Sequence, residues 1–162
     1  EASVKVPLVL HVPGIKAQTS LDLAQTVDVA PTIMSLLGLP LWSDARGKNL
    51  HAVLQGTEEP NAYVFSEHLY AQQAAVRSPT HTLILHRKST HQFPSYEIVK
   101  GKYEFFKRDA HSADELSLSP SDPVATELRE ILTKYLKSGV TRTPKEAKQQ
   151  DMESLKALGY LE

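Results

Sequence analysis

Hydrophobic and polar positions along this chain change their period more than once, and each change predicts a different element. Pro7-Leu8-Val9-Leu10-His11-Val12 is a nearly unbroken apolar run rich in branched side chains. That is the pattern of a strand covered on both faces, as in the interior of an α/β sheet. Pro13-Gly14 ends it and a polar passage comes next. Val29, Ile33, Leu36 and Leu37 then recur at helical intervals. Asp28 is placed as the N-cap, Pro31 sits in the first turn where its missing N–H costs little, and Gly38 and Pro40 supply the stop.

Beyond Gly56 the polar stretch Thr57-Glu58-Glu59-Pro60-Asn61 breaks the chain, and strands are predicted over 62–67, 73–77, 81–87 and 103–107, as antiparallel neighbours. Leu83 and Leu85 fall on one face of the third, while Thr82, Ile84 and His86 fall on the other, so both faces are expected to meet protein over part of its length. A helix is predicted from Pro123 to Lys137. Val124, Leu128, Ile131, Leu132, Tyr135 and Leu136 form its stripe, read as core packing rather than a partner groove, with Asp122 as cap and Pro123 at the first helical position. A last helix is predicted after Thr143-Pro144, with a thin apolar edge of Met152, Leu155 and Leu158 ending at Gly159.

Charge and composition narrow the partners. With 18 basic and 19 acidic residues in 162, the net charge is −1, which gives no overall field to draw in nucleic acid or an anionic membrane. No apolar run approaches the roughly 18 residues that cross a bilayer. There is no cysteine, hence no disulfide or thiolate metal site. Seven histidines raise the question of a metal, but His81 and His86 are five apart and point to opposite faces of a strand. No His-Glu-x-x-His or calcium-loop pattern is present.

Four segments together resemble the sulfatase family of the alkaline phosphatase superfamily. Val6-Pro7-Leu8 through Pro13-Gly14, then Val27-Asp28 with Pro31-Thr32 and the Gly38-Leu39-Pro40 exit, are similar to a passage found in its members. Gly47-Lys48-Asn49-Leu50 resembles the family's Gly-x-Ser-Leu, with Asn49 in place of Ser. Ala75-Val76-Arg77 and Thr82-Leu83-Ile84-Leu85 resemble its paired Val-Arg-Thr and Tyr-Lys-Leu-Ile strands. The ending Leu155-Lys156-Ala157-Leu158-Gly159-Tyr160-Leu161 resembles the tail of many bacterial members. A fifth segment, 103–107, is similar to Glu-Leu-Tyr-Asp-Leu, but the residues after it lack the family's Pro.

The resemblance is to the last third of a sulfatase. It implies an α/β fold, α+β in its C-terminal part: residues 1–56 as the end of an alkaline-phosphatase-like α/β domain, 57–138 as a small antiparallel sheet packed with a helix, and 139–162 as a tail helix. The nucleophile motif Cys/Ser-x-Pro-x-Arg and the carboxylate metal ligands are expected upstream. Ser121-Asp122-Pro123 is no substitute, because Ala125 stands where the Arg belongs. The resemblance therefore implies no catalytic residue and no metal ligand here, and a divalent metal, calcium, in the catalytic part.

The implied partners are the rest of the catalytic domain and a sulfated carbohydrate or aryl sulfate, with no nucleic acid and no membrane, in an exported protein of the periplasm or medium. Cut from that domain, the chain is expected to be inactive and to self-associate. His68, Arg77 and His91 are the candidate substrate-binding residues, placed to reach the leaving-group side of such a pocket. Two other classes stay open: a non-catalytic binding or assembly module, and the C-terminal part of a related phosphonate or phosphate ester hydrolase.

Overall fold

The computed structural model describes residues 6–42, 45–68, 72–93, 96–108 and 115–138, with the backbone alone at 90–93, 96–98 and 115. Over them the chain is a mixed α/β protein in which three helices accompany a five-stranded antiparallel sheet. The helices are α1 (Val29–Leu36), α2 (Leu50–Leu54) and α3 (Pro123–Lys137). The strands are β1 (Val64–His68), β2 (Gln73–Arg77), β3 (His81–His86), β4 (Thr90–Phe93), β5 (Tyr96–Ile98), β6 (Tyr103–Arg108) and β7 (Glu115–Leu118). The sheet runs β1-β2-β3-β6-β7, and β4-β5 form a separate hairpin between β3 and β6.

α3 is built as its sequence dictates. The Asp122 carboxylate accepts from Val124 N at 2.8 Å, Pro123 sits in the first turn, and Lys134 and Lys137 lie in the last. Its stripe covers one face of the sheet, where Leu128, Leu132 and Ala125 meet Ala74, Val76, Leu83 and Phe105 in the core. Ala125 is fully buried because its small side chain admits close approach to the strands. Around this core Phe65 stacks on Tyr135 with ring centroids 4.0 Å apart, and Arg129 lies 4.4 Å above the Tyr103 ring.

Three expectations need correction. Residues 6–12 form no strand and pair with none of β1–β7; Val9 is 86% exposed. An apolar run becomes a strand only where neighbours accept its backbone hydrogen bonds, and the described residues offer none there. Asp28 closes a 3-10 turn (Thr26–Asp28) and its side chain makes no cap bond to α1; its backbone is already helical, so the carboxylate turns away. His91 lies in β4, not in a loop. The tail helix and its Leu155–Leu161 motif lie outside the described residues.

Asp28 is nonetheless the centre of the junction. Its Oδ1 accepts from Lys48 N at 2.8 Å, and its Oδ2 accepts from Gln25 N at 2.8 Å and Asn61 Nδ2 at 2.9 Å. The Thr32 hydroxyl donates to Asp28 O at 2.6 Å and accepts from Leu50 N at 2.9 Å. Asn49 then caps α2, accepting from His51 N and Ala52 N, so the amide does what a serine hydroxyl would do there.

Candidate functional site

Side chains alternate across a sheet, so the face away from α3 carries Ser66 and His68 of β1, Gln73, Ala75 and Arg77 of β2, Thr82, Ile84 and His86 of β3, and Glu104 and Phe106 of β6. Val64 lies on it too, so this more polar of the two faces is mixed, and Ala75, Thr82 and His86 in it are buried. His81 stands on the other side, stacked on Phe105 at 5.2 Å, as the spacing of His81 and His86 predicts.

At one end of the face, register places His68, Gln73 and His86 in a row across three strands. His86 is buried, with Nδ1 3.1 Å from Gln73 Nε2 and Nε2 3.1 Å from Glu104 Oε1. The second contact is off the line of a hydrogen bond, so its attraction is electrostatic rather than directional. Nδ1 faces a carboxamide and Nε2 a carboxylate. Both nitrogens are thus engaged inside the protein, which suits a structural imidazole better than a proton-transfer group. His68, the last residue of β1, is the exposed member of the row.

Arg77 lies on the same face at the opposite end. His68 pairs with Gln73 and Arg77 with Val64, four register positions away, or about 13 Å along the strands. The two side chains therefore share a surface without converging on one small group. Arg77 Nη1 donates to Ser66 Oγ at 3.1 Å. A guanidinium cannot take the serine's proton, so this contact does not make Ser66 a nucleophile. Beside Arg77 in register is Thr82, fully buried, whose hydroxyl has no hydrogen-bond partner among the described residues. Across the β2–β3 connection Arg108 Nη1 donates to Ser78 O at 2.9 Å.

Gln73 and Glu104 escape sequence reasoning because only register reveals them. Glu104 reaches His86 through the β3–β6 pairing, which the intervening β4-β5 hairpin hides in a linear reading. Among the described residues no group of three or more His, Asp or Glu side chains is arranged to hold a metal ion, and no helix is long and apolar enough to cross a membrane. No protein-family model matches the chain, and no curated protein matches it.

Proposed function

We propose that this chain is the C-terminal part of a sulfatase-family hydrolase, joining the end of an alkaline-phosphatase-like α/β domain to a small antiparallel subdomain. The observation that carries the reading is the bonding between the two segments on which the resemblance rests most. Asp28 of Val27-Asp28 holds Lys48 N, and Thr32 of Pro31-Thr32 holds Leu50 N, so both ends of Gly47-Lys48-Asn49-Leu50 are tied to the first motif. Two segments that each resemble the family are thereby bonded to one another in space.

Exposure supports the same reading. Of the sixteen large hydrophobic residues exposed among the described ones, twelve lie at 6–42 and four beyond. A surface so one-sided fits a segment that belongs inside a larger sheet covered on both faces. In the parent, hydrolysis of a sulfuric ester would proceed by attack of an activated hydroxyl on sulfur, with the S–O bond to the leaving alcohol breaking and basic residues stabilising the charge on the sulfate oxygens. The divalent metal of such chemistry finds no ligand set among the described residues. The role given to this chain is to complete the domain and present the polar face, with His68 and Arg77, beside the substrate.

The test is hydrolysis of 4-nitrophenyl sulfate by the longest natural polypeptide containing this chain. Turnover supports the reading. Preferential hydrolysis of a phosphate or phosphonate ester would move it to a related branch, and no hydrolysis of any of the three esters would favour a binding or assembly module.

A further inference from the structure

The links between the first 56 residues and the sheet converge near one buried carboxylate. Asp28 is inaccessible to solvent, and among the described residues the donors to its carboxylate are two backbone amides and one carboxamide, none of them a charged group. Two of these partners reach the sheet side. Asn61 bonds both Asp28 Oδ2 and Leu23 O, the latter at 3.1 Å, and Gln25, held by Asp28 through its N–H, accepts from Phe65 N of β1 with its Oε1 at 3.2 Å. Lys48, held through its own N–H, donates from Nζ to Glu59 O at 2.6 Å, within the polar break that leads to β1. Helices α1 and α2 pack on each other, while α3 packs on β2 and β3.

We infer that Asp28 is a positioning residue, the joint that fixes the α1–α2 unit, with its exposed apolar residues, at one orientation to the five-stranded sheet. The attachment on β1 lies at its Arg77 end, since Phe65 is next to Val64, the register partner of Arg77. The exposed apolar residues on α1 and its exit, Ile33, Leu37 and Leu39, are thereby held in fixed relation to Arg77. Two acceptor oxygens with three donors leave no place for a carboxamide, because Asp28→Asn must aim an NH2 group at an N–H.

The chain has no cysteine, so the pair Gln55→Cys and Lys134→Cys, on exposed positions at the end of α2 and on α3, gives two unique spin-label sites. In the otherwise unchanged full chain a single narrow distance distribution is expected. With Asp28→Asn it broadens, and amide exchange at Lys48 and Phe65 accelerates by about tenfold or more while β2, β3 and β6 keep their protection. Asn61→Ala, which removes one strut and spares the carboxylate, is expected to broaden the distribution less. An unchanged distribution in Asp28→Asn overturns the inference. So does loss of protection across β2, β3 and β6 in both variants, which would make Asp28 a member of one undivided core.

Discussion

A Cβ on Gly47 would lie 2.3 Å from the carbonyl oxygen of Val27, closer than any real contact permits. The close approach exists because Lys48 N must reach the Asp28 carboxylate, and Gly47 adopts φ +96° to bring it there. Gly47→Ala therefore meets both a backbone clash and a disfavoured dihedral. The expected loss is about 3 kcal/mol or more. Gly38, at φ +66° with nothing within 4 Å of its would-be Cβ, gives the control. Gly38→Ala should cost about 1 kcal/mol from conformation alone. Urea midpoints for the two variants check the contrast.

Truncation in the core should separate packing from surface. Leu128 is 1% exposed between α3 and the sheet, and Leu128→Ala is expected to destabilise by about 2–5 kcal/mol through lost burial and the cavity left behind. Leu116 on the edge strand β7 is 64% exposed, and its truncation should fall within about 0.5 kcal/mol of zero. Equal losses in thermal unfolding of the two variants would contradict the core described.

How much of this was legible in the sequence varies with what decides each element. The bounds of α3, its cap and its proline are legible because all are local, but the stripe departs at its start, where Val124 is 36% exposed and Ala125, one residue on, is fully buried. β2 was equally plain, and β1, β3 and β6 differ from expectation only at their ends. β4, β5 and β7 were missed, because strands of three or four residues exist by virtue of partners rather than pattern. The run at 7–12 shows the converse, a strand-like sequence left unpaired. In the candidate site His68 and Arg77 stand out because they flank a strand-to-strand connection, but their separation along β1 and β2 depends on register, which two isolated strands do not disclose.

The buried imidazole offers another measurement. Gln73→Leu removes the group facing His86 Nδ1 and leaves that nitrogen without its partner in a buried position. A loss of about 1–3 kcal/mol is expected. Urea midpoints of the two proteins check the loss, and equal midpoints would contradict it.

Tyr135 titrates late. Burial, the nearby Glu67 charge and the bond to Glu67 Oε1 at 3.3 Å hold its phenol above the ordinary 10.0, with Arg46 opposing them. Because its folded value exceeds the unfolded one, its contribution to stability is complete below about pH 10 and disappears as pH rises through the folded value. Tyr63, hydrogen-bonded to Glu127, is raised as well. Absorbance titration at alkaline pH should show late-ionising phenols, and Tyr135→Phe should remove one of them. A wild-type curve centred on the ordinary value would contradict this.

On the proposed function, Arg77→Ala and His68→Ala in the longest natural polypeptide containing this chain are expected to raise KM by about tenfold, equivalent to roughly 1.4 kcal/mol of binding, with little change in kcat. The isolated 162-residue chain should not hydrolyse aryl sulfates above a protein-free control. Unchanged KM in both variants would remove the two residues from the proposed site.

The excursion between β3 and β6 has a consequence for how this protein can vary. Its neck is closed by the backbone, with His86 N donating to Lys102 O at 3.0 Å and Gly101 N donating to His86 O at 2.7 Å. The β4-β5 hairpin adds no strand to the five-stranded sheet. Its length is therefore nearly free of energetic penalty, since halving such a loop alters closure by only about 0.6 kcal/mol. Residues 88–100 are thus a natural insertion point, where a graft or a deletion changes the surface beside His86 while the ladder beneath it stays in register.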